Sequence, residues 1–347
     1  MCIRDRSTAW THPKGVYFRP NGLATDGKVV ALFSGQGSQY VGMGKAAANA
    51  FPQILETFQQ CDALFKASGQ TSLSQRVFPK PVFSKEAEQG QLHLLTQTQN
   101  AQPAIGTFSM GLYRVFQDAG FKANFTAGHS FGELTALWAA GVYDDATFLA
   151  LAKARGAAMA TQNPGTDMGS MLAIKAPVEQ VEAEVKNLEG VQIANVNSTS
   201  QVVLGGSTAA IQNAQNSLKE KGYKVVALPV SAAFHTAFVE HAQQPFAEFV
   251  ATQKFKSAKT PVYSNTTAST YPKTPAAIKR NLQNQILNPV LFKNEVEKIY
   301  EDGGRIFVEF GPKGVLTNLV KNILKGQDFE AIAVLSLIHI SEPTRPY

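Results

Sequence analysis

Ser130 stands between two glycines in "AGHSFGEL", and this G-x-S-x-G spacing is one that nucleophilic serines use. Glycines on either side let the chain turn sharply from a strand into a helix. The turn lifts the hydroxyl clear of the sheet and aims it near a helix N-terminus, where free backbone N–H groups can stabilise an oxyanion. The apolar run "ANFTA" before the motif and the helical pattern "FGELTALWAAG" after it supply that setting. The competing reading is a serine that merely caps a helix, because so short a motif recurs by chance.

A nucleophilic serine needs a base, and six histidines are present: His12, His93, His129, His235, His241 and His339. His129 adjoins Ser130, so on an extended strand end its ring points the other way. His241 falls inside a helical pattern, His93 in a polar stretch read as a loop, and His12 and His339 near the chain ends. His235, in "ALPVSAAFHTAFVEHA", falls where a strand gives way to a helix and is the best candidate. Alone it reads as a structural histidine; a competent serine makes it a base. No Asp or Glu near it offers itself as a third member. A backbone carbonyl can hold Nδ1–H instead and present Nε2 to the serine. Such a dyad suffices for an activated acyl donor such as a thioester.

Arg155, in "ATFLALAKARGAAMA", shares a helical face with Phe148, Leu151, Ala152 and Met159. A guanidinium on an apolar stripe needs an anion. An internal carboxylate would serve; so would a substrate carboxylate held by a two-pronged contact. The loop "SGQGSQ" after the first strand is not a phosphate-binding P-loop: Gln39 stands where that motif needs glycine and Ala46 where it needs Ser or Thr. It reads as a loop whose N–H groups line a site, or as a plain glycine turn.

These residues need elements to hold them. "KVVALF" (Lys28–Phe33) reads as a buried strand feeding the glycine loop. Helices are expected over Ala46–Ala67, Gln102–Ala119, Phe131–Ala140 and Asp144–Thr161, the last ending near Pro164. From Met168 to Val230 the order becomes βαββαβ, the ferredoxin-like unit. "TPVYSN" and "RIFVEFG" then resume the α/β alternation, with "VLTNLVKNILKG" a last helix and "AIAVL" a last strand. The organisation expected is an α/β subdomain over 28–166 and 231–335, interrupted by a ferredoxin-like subdomain over 167–230. A cleft between the two is the natural ligand site. Residues 7–27 read as a linker or arm.

The 347 residues are 44% hydrophobic and 17% charged, enough for one large core or two smaller ones. No stretch approaches the roughly 18 apolar residues of a membrane span. The net charge of +6 is scattered, without the Lys/Arg blocks of a nucleic-acid arm. It suits an anionic small molecule or an acidic partner protein. Two cysteines, Cys2 and Cys61, are too few for a disulfide framework or a Cys-based metal site, so a reducing, cytoplasmic setting is expected. "MCIRDR" (1–6) and the segment 336–347 resemble translated sequencing-adapter read-through and are set aside from the functional argument.

Taken together, "GQGSQ" (Gly35–Gln39), "AQPA" (Ala101–Ala104), "GHSFGE" (Gly128–Glu133), "RG" (Arg155–Gly156), "AAFH" (Ala232–His235), "NPV" (Asn288–Val290) and "EFGP" (Glu309–Pro312) resemble the malonyl-CoA:acyl-carrier-protein acyltransferase family in order and spacing. The wording around them is most like the acyltransferase domains of polyunsaturated-fatty-acid and polyketide synthases. One departure is Ser34, where the stand-alone enzymes usually have proline. The resemblance implies a hydrolase-like α/β core with a mainly parallel sheet and the ferredoxin-like insert. It implies Ser130 as the acylated nucleophile and His235 as its base and later its acid. The N–H groups of Gln36 and Phe131 would form the oxyanion hole, and Arg155 would clamp the malonyl carboxylate. Gln102 would line the pocket, and the Gln285 carbonyl would orient His235. Phe234, before the histidine, goes with malonyl over methylmalonyl. No bound cofactor or metal is implied: malonyl-CoA is the donor and the phosphopantetheine of an acyl carrier protein the acceptor. Neighbouring synthase domains are expected partners; nucleic acid and membrane are not. The alternatives are a serine esterase or thioesterase, and a non-catalytic domain that docks carrier protein.

Overall fold

Val30 to Phe33 are apolar and fully buried, so this strand must be covered on both faces. Alternate side chains do go to different cores. Val30 and Leu32 pack with Phe125, Ala127, Val296 and Phe307, while Ala31 and Phe33 pack with Ile105, Phe108 and Phe131. The computed structural model describes residues 10–12, 16–18, 26–161 and 165–335. The expectations for 1–6, for 336–347 and for Pro164 lie outside them. Within the arm, Trp10–His12 pairs antiparallel with Val16–Phe18.

The strand Lys28–Phe33 is central in a parallel sheet ordered Glu330–Ala333, Gly304–Phe310, Lys28–Phe33, Phe125–Gly128. Parallel neighbours require long crossovers, and helices supply them. The longest, Thr98–Asp118, is buried over most of its length and brings Gln102 Nε2 within 3.2 Å of Gln36 Oε1, in the loop after strand Lys28–Phe33. Tyr263–Ser264 extends the far edge, through a parallel bridge between Thr126 and Val262.

A second, antiparallel sheet is ordered Val191–Ser198, Gln201–Gly206, Ser170–Lys175, Lys224–Ala227. With helices Val178–Val185 and Thr208–Glu220 its chain order is βαββαβ, as the sequence indicates. Leu172, Ile174, Val202, Leu204, Ile211 and Leu218 give this unit a core of its own. Its opposite face, with Met171, Ala173 and Val203, looks onto a cavity of about 550 Å3 that the glycine loop and Ser130 wall from the other side. The antiparallel sheet is also tied by backbone to the segment before helix Phe292–Glu301: Val196 N–H donates to Val290 O at 2.8 Å, and Val290 N–H to Ala194 O at 2.9 Å. Among the described residues no helix is long and apolar enough to cross a membrane.

Some expectations need correction. Ala46–Ala67 is two helices, Lys45–Ala50 and Pro52–Ala67. Phe51 is extended (φ −123°, ψ 109°) because the proline after it disfavours the helical region. His93 lies in helix Lys85–Thr96, which Ser84 caps by accepting from Ala87 N–H, and not in a loop. The helix expected from Gln102 starts a turn earlier, at Thr98. The strand before His235 ends at Ala227, well short of it.

Candidate active site

The strand Phe125–Gly128 ends at the turn, and helix Gly132–Ala139 begins just past Ser130. Both glycines of the motif are required by close approach. A Cβ on Gly132 would sit 1.9 Å from Phe33 O, and one on Gly128 would sit 2.2 Å from the Gly132 carbonyl carbon. The strain falls on the serine itself, whose φ is 51°, in the left-handed region that non-glycine residues avoid.

The backbone donors around the turn can be accounted for in full. Ser130 N–H donates to Asn265 Oδ1 at 2.6 Å. Gly132, Glu133 and Leu134 N–H donate to the carbonyls of His129, Ser130 and Phe131. The Phe131 N–H between them has no partner among the described residues, and neither has the Gln36 N–H in the facing loop. Gln36 and Ser130 line the same cavity.

His235 reaches Ser130 across the chain: Nε2 lies 2.6 Å from Oγ. Its Nδ1 lies 3.0 Å from Asn288 O and 3.3 Å from Gln285 O. Neither carbonyl can donate, so Nδ1 carries the proton and Nε2 accepts from the serine hydroxyl. The Gln285 carbonyl is thus joined by a closer one, on Asn288, which the sequence marks only as a motif residue. His235 has φ 61°, a second strained residue at the dyad. Burial lowers its pKa to about 3, with the positive charge of Arg155 and then His129 adding to the effect. The imidazole is neutral and competent as a base well below neutrality.

Arg155 is fully buried. Nη1 donates to Gln102 Oε1 at 2.9 Å and Nη2 to Gln285 Oε1 at 3.0 Å, while Nε has no partner among the described residues. Its direct partners are therefore two amide oxygens. Glu133 supplies a carboxylate at longer range. Burial lowers the guanidinium to about 10, still charged at neutral pH. Gln102 lines the cavity and stands between it and Arg155, and Phe234 forms another part of the wall. Gln285 Nε2 also donates to Ser130 O at 2.7 Å, so one side chain joins the arginine to the turn.

His129 lines the cavity, but its Nε2 is 2.7 Å from Asn197 Oδ1 and its ring packs edge-on to Phe292. The sequence alone gives no role to Asn265, Asn197 or Glu133. Each acts through contacts tens to more than a hundred residues away, which no local pattern records.

The acyl transferase domain model matches residues 30–342. The chain belongs to the acyl transferase domain family. It is 36% identical over 327 residues to a polyunsaturated fatty acid synthase polypeptide of Thraustochytrium, covering 91% of this chain but only 11% of that relative's length. It is 33% identical over 301 residues to the malonyl CoA-acyl carrier protein transacylase of Bacillus subtilis, covering 85% of this chain and 90% of the other. The fold is similar to a crystal structure of an acyl carrier protein S-malonyltransferase from Vibrio cholerae, with a TM-score of 0.78, 32% identity, and coverage of 90% and 98%. The serine–histidine pair and the buried arginine thus sit in an acyltransferase scaffold.

Proposed function

We propose that this acyl transferase domain moves a malonyl group from malonyl-CoA to the phosphopantetheine thiol of an acyl carrier protein, in fatty-acid or polyketide synthesis. The 2.6 Å approach of Ser130 Oγ and His235 Nε2 carries the reading. His235 takes the hydroxyl proton while Oγ attacks the thioester carbon. The C–S bond breaks, the proton passes to the CoA sulfur, and a malonyl ester remains on Ser130. The carrier thiol then attacks that ester, His235 taking its proton and returning one to Oγ. In both halves the carbonyl oxygen turns negative between the Phe131 and Gln36 N–H groups, and losing one such donor costs about 3 kcal/mol.

Arg155 binds the free carboxylate of the malonyl group in this reading. The carboxylate displaces the two amide oxygens of Gln102 and Gln285 and supplies the counter-charge that amides lack. Phe234 fills the space an α-methyl would need, favouring malonyl over methylmalonyl. The hydrolase-like description of the parallel unit, the ferredoxin-like description of the insert, the boundaries 28–166, 167–230 and 231–335, and a cytoplasmic setting with neighbouring synthase domains belong to the same proposal.

The test is the fate of the acyl-enzyme. Enzyme loaded from labelled malonyl-CoA should discharge at least about 100-fold faster to holo carrier protein than to water, a rate ratio equivalent to about 3 kcal/mol. Discharge to water at the same rate would make it a hydrolase.

A further inference from the structure

Strand Phe125–Gly128 loses its neighbour where the serine turn begins. The parallel bridge between Thr126 and Val262 places Asn265 level with His129. In a regular parallel pair, the backbone of residue 265 would donate to Gly128 O and accept from Ser130 N–H. Its backbone is engaged elsewhere: its N–H donates to Glu133 Oε2 at 2.7 Å, and its carbonyl accepts from Leu291 N–H at 2.9 Å. The side chain makes both bonds in its place. Nδ2 donates to Gly128 O at 2.6 Å, and Oδ1 accepts from Ser130 N–H at 2.6 Å. The second Nδ2 hydrogen goes to Glu295 Oε2 at 2.5 Å. One buried carboxamide therefore stands in for a peptide group and brackets the residue before the serine.

We propose that Asn265 is a positioning residue for acyl transfer: its carboxamide supplies the missing sheet rung that fixes Ser130 in its strained conformation, with Oγ at His235 and the Phe131 N–H left free for the oxyanion. A carboxamide offers a donor and an acceptor at this spacing at every pH, as an ionisable carboxyl does not. By occupying the Ser130 N–H, Asn265 also leaves the Phe131 and Gln36 N–H groups as the donors for the oxyanion. The inference rests on the proposed acyl-transfer reading, and it adds a residue to which neither the sequence motifs nor the family comparison gave a role.

The test uses Asn265→Asp and Asn265→Ala in the full chain, with wild type as reference. A protonated Asp keeps one donor and one acceptor and preserves the rung. An ionised Asp has only acceptors and repels Gly128 O. Glu133, Glu295, Tyr271 and His129 face the same site in every variant, so the wild-type profile accounts for their titration. Single-turnover acylation by malonyl-CoA in Asn265→Asp should fall as pH rises, reaching about 100-fold below wild type, the loss that misplacing a reacting group by an ångström brings. The wild type should lack that limb. Asn265→Ala should lose kcat to a similar extent at every pH, with KM within about twofold. Loss of the Asp variant's activity at all pH values, or a rise in KM with kcat unmoved, would overturn the inference. If Asn265→Asp does not fold, the kcat–KM split of Asn265→Ala decides alone. The rate of Ser130 labelling by a fluorophosphonate separates the two readings. A wild type that labels but takes no malonyl group fails the functional proposal, while slower labelling of the variants still supports Asn265.

Discussion

At the scale of single residues, the dyad and the arginine make different demands on the solvent. His235 is deprived of water and faced by Arg155 and His129, so its base form persists into acid. The rate of acyl-enzyme formation should therefore stay level from pH 8 down to about pH 5, below the ordinary histidine range. A half-maximum near pH 6.5 in a stopped-flow profile would contradict the buried, neutral imidazole. Arg155 donates only to amide oxygens, and in the proposed reading a malonyl carboxylate replaces them. Arg155→Ala should lower kcat/KM for malonyl-CoA by about 100-fold, the equivalent of two charge-assisted hydrogen bonds, and improve acetyl-CoA relative to malonyl-CoA. Steady-state rates with the two donors check this. Ser130, His235 and Arg155 were legible because each is an unusual residue in its local pattern. Asn265 and the Asn288 carbonyl were not, since an asparagine after a strand and a backbone oxygen in a loop look ordinary until the fold brings them to the site.

At the scale of elements, the serine turn is built by close packing against the neighbouring strand. Gly132→Ala should destabilise the protein by about 2 kcal/mol or more, because its Cβ would meet the Phe33 backbone, which cannot turn aside as a side chain could. Gly90 is the contrasting case: it lies in helix Lys85–Thr96 with open space around its Cβ position. Gly90→Ala should add roughly 0.5–1 kcal/mol through helix propensity alone. Denaturant midpoints of the two variants test both signs. Strand Lys28–Phe33 matched its sequence pattern to the residue, because a buried apolar run closed by a turn leaves little choice. The helices matched less well at their ends. Pro52 breaks the helix expected over Ala46–Ala67 at Phe51, and Pro103 concealed the extra turn before it, since proline is tolerated near a helix start as well as outside one.

At the scale of the molecule, two sheets of different grammar meet at one cavity. Strand Val191–Ser198 of the antiparallel sheet is bonded to Val290, two residues past the Asn288 carbonyl that holds His235. The insert thus braces the base as well as covering the cleft, which the order βαββαβ alone could not reveal. Burial also sets how folding responds to pH. His235 is lowered from 6.5, so its contribution to stability is present above 6.5 and lost as pH falls toward 3. Glu309 and Glu133 are each raised from 4.5 to about 7, and burial raises Glu295 as well, so their contributions are present below 4.5 and lost as pH rises. Between 4.5 and 6.5 these carboxyl groups oppose His235 and outnumber it, so thermal midpoints should be highest toward the acid end of that window and fall away on further acidification. A maximum confined to alkaline pH would contradict this balance. The central claim is that the hydroxyl of Ser130 carries the acyl group. The most direct measurement is mass spectrometry of peptides from protein quenched after incubation with malonyl-CoA. The account predicts the malonyl adduct on the Ser130 peptide and none on Ser130→Ala; an adduct on any other residue, or one that survives in Ser130→Ala, would contradict it.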